Sequence, residues 1–170
     1  MSGVSDSMSG FMSPLTARRG SKQTGVVGLG ADPYSRISEN PFWAKKDVSG
    51  RFVAVLDEAI AGRNLDLITA RSRALLAGEI HEVVLVIEAG AAPGVIVPDA
   101  VYLGFFEVQE GGVVIVGDAV YWEDTRIGTL AGFDETHHPN HMNIVIATEA
   151  PRTGRDLGVE VGHTIRFRQS

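Results

Sequence analysis

The sequence predicts an all-β protein: a small, mainly antiparallel β-barrel with one short helix at most, behind a disordered N-terminal tail. Three observations predict it. From residue 47 onward short apolar runs recur at about 8–12-residue spacing, separated by Gly-rich turns, the pattern of a barrel or sandwich. Helical periodicity is nearly absent. The chain has 170 residues, enough for one domain with a proper core and too few for two.

The elements follow in order. Residues 1 to 46 are rich in Ser and Gly and carry six basic residues against three acidic ones, whereas the remainder carries nine against eighteen. Such a segment buries too little apolar surface to offset its ordering entropy, so it is read as a disordered tail, with the barrel spanning residues 47 to 170. Gly25-Val26-Val27-Gly28-Leu29-Gly30 resembles a phosphate loop only superficially, since no strand precedes it and Pro33 interrupts any following helix. Phe42 and Trp43 either pin the tail to the barrel or form a lid over a cavity mouth. Gly50–Leu56 reads as the first barrel strand, and Leu65–Thr69 as a second. Arg71–Gly78 reads as a strand or as the one short helix, ended by Gly78 at its C-cap.

Ile80–Glu88 is an apolar run of the kind buried strands show, and Val101–Val108 is another. The Gly111-Gly112 pair is expected to supply the positive φ of a hairpin leading into Val113–Val116. Strands are then expected over 118–122, 126–133, 141–148 and 162–168.

Composition excludes several chemistries. Hydrophobic residues make up 44% of the chain and charged residues 21%, the net charge is −6, and there is no cysteine. Thiolate catalysis, disulfides and Cys-ligated metals are excluded. An acidic chain lacks the basic face that nucleic acid requires. No run of roughly 18 apolar residues exists, so no membrane span is expected. No signal peptide is visible, and a cytoplasmic location is the expectation. No Lys follows Lys46, no GxSxG elbow is present and no Walker loop is present.

The unusual segment is GFDETHHPNHMN, residues 132–143, which holds three of the five histidines. His138-Pro139-Asn140-His141 fits a β-turn with Pro at the second position and Asn at the third. Period 2 then places Asp134, Thr136, His138, His141 and Asn143 on one polar face, and Phe133, Glu135, His137, Met142, Ile144 and Ile146 on the other, mostly apolar one. Three readings stay open. The polar face looks at water; or two or three of His137, His138 and His141 hold a divalent metal (zinc, iron, manganese or nickel), with Asp134, Glu135 or His81 completing the shell; or His138 and His141 perform metal-free acid–base chemistry oriented by Asp134 or Glu135. Glu107, in the apolar strand after Phe105-Phe106, is a candidate buried acid. Tyr121, Trp122 and Asn143 are candidates to line a ligand site. His163 is read as a turn residue, and Arg126 as a solvated strand end.

The segment from Lys45 to Phe167 resembles an uncharacterised bacterial domain family of small β proteins through VSGRFVAVLD, GEIHEVVL and GFDETHHPNHMNI. That resemblance implies no activity. Residues 97 to 167 are remotely similar to the glucitol/sorbitol IIA component of the sugar phosphotransferase system, through Ile127-Gly128 to Phe133-Asp134, a following proline, NIVI and the closing VGHTIRF. That likeness implies a small β-barrel. The family's phosphorylated histidine lies earlier in its domain, where this chain's VVLVIEAGAAPGV has none, so phosphotransfer does not carry over.

The expected function is an enzyme of lyase, isomerase or cyclase type acting on a small polar metabolite through the His/carboxylate cluster. The alternative is a non-catalytic module that binds a metabolite or partner through Phe42, Trp43, Tyr121 and Trp122. Barrels of this size often pair, and a homodimer is the expected assembly.

Overall fold

A computed structural model describes residues 44–87 and 89–170. Phe42, Trp43 and the Gly25–Gly30 segment lie outside the described residues. The strands are β1 (Val48–Ile60), β2 (Leu65–Asp66), β3 (Ser72–Leu75), β4 (Ile80–Ile87), β5 (Ile96–Val97), β6 (Ala100–Glu110), β7 (Gly112–Ile115), β8 (Ala119–Trp122), β9 (Thr125–Asp134), β10 (Asn143–Thr148) and β11 (Thr164–Arg168), with one helix, α1 (Gly154–Leu157), before the last strand. Seven strands close a barrel in the order β1-β11-β8-β9-β10-β4-β6, while β2 pairs with β5 and β3 with β7 as two small flaps. Every barrel pair is antiparallel except β10 with β4. No helix among the described residues is long and apolar enough to cross a membrane.

Two apolar layers result. The first gathers residues from all seven barrel strands, including Phe52, Phe106, Phe133, Phe167, Leu103 and Ile144. These side chains fill the lumen, and burying each large one contributes roughly 2–3 kcal/mol. The second layer lies on the outer wall: Val84 and Val86 of β4, Val145 of β10 and Tyr102 of β6 are covered by Leu65, Leu67 and Val97 of the β2–β5 flap. Alternate residues of β4 therefore serve opposite layers, Val83 and Leu85 inward, Val84 and Val86 outward.

Local expectations are settled or corrected. The ambiguity over Arg71–Gly78 resolves as a strand: β3 pairs with β7 from Ser72↔Ile115 to Leu75↔Gly112, and Leu75 is buried. Gly78 keeps a positive φ of 89°, but in a turn where its N–H donates to the Val108 carbonyl. The short helix forms instead at Gly154–Leu157, capped by the Thr153 side chain accepting from Asp156 N and by Gly158 at φ 81°.

Gly111 and Gly112 do not make a positive-φ hairpin, because β6 sits between β1 and β4 while β7 pairs with β3. Gly111 is needed for space: a Cβ there would lie 2.5 Å from the Leu75 carbonyl oxygen. Lys45, on the tail side of the boundary read from composition, is buried with its Nζ 2.8 Å from Asp118 Oδ2.

Candidate metal centre

The histidine-rich segment joins β9 to β10, and its turn sits one residue earlier than the sequence suggests. Asn140 N donates to the His137 carbonyl at 2.9 Å, and His141 N reaches the same oxygen at 3.4 Å. Pro139 is therefore the third residue of the turn, and its peptide bond with His138 is cis. The one-residue displacement changes which histidines meet. His137 and His141 stack, with ring centroids 4.9 Å apart and planes 25° from parallel. His138, expected as the partner of His141, is exposed and lines a neighbouring pocket.

The predicted polar strand pair is real at its base, but it does not face water. Asn143 lies opposite Asp134 in the β9–β10 ladder, and the two are 0% and 1% exposed. Asp134 Oδ1 accepts from Asn143 Nδ2 (2.9 Å) and Thr136 N (3.2 Å), and Oδ2 from Asp66 N (3.0 Å) and Thr136 Oγ1 (3.0 Å). Both oxygens are thus engaged in fastening β10, the turn and the β2 flap together, and neither orients a histidine. Glu135, likewise expected beside the histidines, forms an ion pair with Arg73.

The carboxylate that meets the histidines is Glu82, which sequence reasoning missed. Glu82 is on the outward-facing set of β4, next to Asn143 in the parallel β10–β4 register, and is 6% exposed. Glu82, His137 and His141 each place one donor atom within 4.8 Å of the others. Glu82 Oε2 is 3.6 Å from His141 Nε2. That nitrogen is buried without a hydrogen-bond partner among the described residues, as is Asn143 Oδ1. The edge of Phe105 closes on the His141 ring at 5.1 Å.

Burial dominates the electrostatics. It pushes the Glu82 carboxyl from 4.5 up to about 7, a rise that Arg63 opposes and that Glu58 and Asp134 reinforce. Burial also lowers the pKa of His141, with His137 and then His81 adding to the effect. The lowered pKa of His141 favours the neutral imidazole that a cation requires, whereas the raised Glu82 carboxyl has to release its proton to the cation, so metal uptake at this pair is expected to strengthen as pH rises.

The remaining candidates lie elsewhere. His81 accepts from Met142 N through Nδ1 (3.4 Å) and meets Glu79 through Nε2 (3.3 Å), in the wall of the pocket beside the cluster. Glu107 is half-buried and faces outward with Arg51 and Ile80, its partners in the ladders. The reason is Gly104, at φ 152°, where the registers with β1 and β4 both shift; Leu103 and Phe106 then point into the same core and period 2 fails. Tyr121 is half-buried beneath the Arg168 guanidinium, 5.5 Å from its ring centroid. Trp122 packs at the core margin and donates to His163 Nδ1 at 3.2 Å. Both belong to β8, which β9 separates from β10.

A buried Glu at the head of an otherwise apolar strand was the available signal for Glu82, since carboxylates rarely enter such runs without a partner.

Residues 42–168 match a family of unknown function, DUF6917, and the chain belongs to that family. No curated protein and no solved structure matches the chain. The similarity to the glucitol/sorbitol IIA component is not shown by these comparisons.

Proposed function

We propose that this barrel is a metalloprotein in which Glu82, His137 and His141 hold one divalent cation on the outer wall, and that the cation serves an enzyme acting on a small polar metabolite. The observation that carries the reading is the convergence of three donors of the right chemistry within 4.8 Å, with His141 Nε2 buried and unpartnered among the described residues. An orphaned buried nitrogen costs about 1–3 kcal/mol, and a cation removes that cost.

Two imidazoles and one carboxylate suit zinc, iron, manganese or nickel and leave coordination positions open. Bonds of ~2.0–2.2 Å to one zinc ion would draw the three donors closer together than their present spacing of up to 4.8 Å. A cation so held would act as a Lewis acid on a ligand oxygen, which fits lyase, isomerase or cyclase chemistry better than redox transfer. His81, oriented by Glu79, stands in the adjoining pocket as a proton carrier.

A second reading has its own support. Glu82 and His141 share the features of a proton-relay pair, one carboxyl raised toward neutrality beside a neutral imidazole. A binding module that holds a metabolite inside the barrel is disfavoured, because side chains fill the lumen.

The deciding measurement is metal content of untagged protein after reconstitution with zinc or manganese. One equivalent is expected in the parent and in His138→Ala, and loss is expected in His137→Ala, His141→Ala and Glu82→Gln. Retention in the His137 and His141 variants refutes the site. Absence of metal from the parent transfers the proposal to the proton-relay pair.

A further inference from the structure

We infer that the ligand taken beside this cation is a small anion, a carboxylate or phosphate ester, anchored by Arg73. The inference rests on the metal reading above and deepens it by assigning the ligand's charge.

A pocket of about 250 Å³ has His141 in its wall. Its other polar lining comes from Arg73, Glu79, His81, His138 and Asn140. Two of these are already committed. Glu79 Oε2 accepts from Leu76 N and meets His81 Nε2, while His81 Nδ1 accepts from Met142 N. Arg73 differs: its Nε is buried with no hydrogen-bond partner among the described residues. A guanidinium with an unused buried N–H is a donor awaiting an acceptor, and its planar fork matches carboxylate and phosphate oxygens.

The partner Arg73 does have points the same way. Its Nη2 pairs with Glu135, and both side chains are 35% exposed. An ion pair so open to water is worth little, so an incoming anion displaces it at small cost. Glu135 thus engages the guanidinium from outside the pocket lining, and an anion in the pocket would compete with it for Arg73. Two attractive centres then bear on one pocket: the cation, held by only one protein carboxylate and reached through His141, the one of its three ligands that lines the pocket, and Arg73. An anion can meet both at once, whereas a neutral polyol leaves the Arg73 donor unmet and a cationic ligand is repelled.

The test uses full-length protein loaded with one equivalent of Zn(II), titrated calorimetrically with malonate, inorganic phosphate and glycerol. Malonate or phosphate is expected to bind and glycerol is not; the tighter anion identifies carboxylate or phosphate as the recognised group. Arg73→Gln is expected to keep its full equivalent of zinc and to weaken the anion roughly tenfold or more. Glu135→Gln, which frees Arg73, is expected to tighten it.

Anion affinity unchanged in zinc-loaded Arg73→Gln overturns this inference and leaves the metal site standing. Glycerol binding as well as the anions do, or no anion binding to the zinc-loaded parent, does the same. A parent that takes up no zinc overturns both.

Discussion

Glu82→Gln separates the physics of the site from its chemistry. In the metal-free protein the Glu82 carboxyl is raised from 4.5 to about 7, because burial removes water from its charged form. Below the unfolded value both states hold the proton and nothing is lost. Between the two values the folded protein holds a proton that the unfolded chain gives up, so stability falls as pH rises. Above the folded value the loss is complete, and the interval corresponds to roughly 3 kcal/mol.

Glutamine keeps the shape and cannot ionise. The metal-free variant is therefore expected to match the parent near pH 4 and to exceed it by up to about 3 kcal/mol near pH 8. His141, whose pKa is lowered by burial, works in the opposite sense: its contribution is present above its unfolded value and is lost as pH falls through its folded one. That dependence occurs in both proteins and largely cancels in their difference. Urea denaturation of chelator-treated parent and variant at four pH values between about 4 and 8 measures the difference. A parent–variant gap that stays constant across that range refutes the reasoning. Adding metal should then reverse the order, since a cation at about 1,000 times its Kd stabilises the parent by about 4.1 kcal/mol and finds no complete site in the variant.

Two further outcomes follow from the supporting structure. Asp134→Ala removes the acceptor for Asp66 N, Thr136 N, Thr136 Oγ1 and Asn143 Nδ2; a loss of about 2–4 kcal/mol is expected by denaturation, together with weakened metal retention as the turn detaches. Lys45→Ala strands the buried Asp118 carboxylate, 2% exposed, and should lower stability by about 3 kcal/mol near neutral pH, read from the denaturation midpoint.

Much of the barrel was legible because barrel strands advertise themselves. β4 and β6 are long apolar runs, and the segments from β8 to β11 fall where the turn residues place them. What resisted reading depends on contacts distant in sequence. Ser72–Leu75 carries no decisive period, and only its pairing with β7 makes it a strand. The bulge at Gly104 flips the parity of β6, so the buried acid expected at Glu107 faces outward.

At the site, the segment 132–143 was recognisable by its density of metal- and proton-binding side chains. The pairing within it was not, since a turn displaced by one residue exchanges His138 for His137. Glu82 enters only through the parallel β10–β4 ladder, which brings it beside Asn143 from 61 residues away, a partnership that no local pattern encodes.

The placement of the cluster explains why an apolar flap accompanies it. Among the described residues Phe52, Phe106, Phe133 and Phe167 fill the lumen, and the cluster lies on the outer wall, where a carboxylate is ordinarily hydrated. Leu65, Leu67 and Val97 cover Val84, Val86 and Val145 on the same outward face of the strand pair that carries Glu82, which is itself only 6% exposed. Each fully buried aliphatic side chain there contributes roughly 1.5–3 kcal/mol, so the layer as a whole outweighs the roughly 3 kcal/mol that an ionised, metal-free Glu82 costs. Asp134, with its four donors, then holds the flap and the histidine turn to the same strand pair. A structural acid in this position could be replaced by an apolar residue with a gain in stability. Glu82 instead meets two stacked histidines, one with a nitrogen unpartnered among the described residues, and the cation proposed here turns that local cost into binding energy.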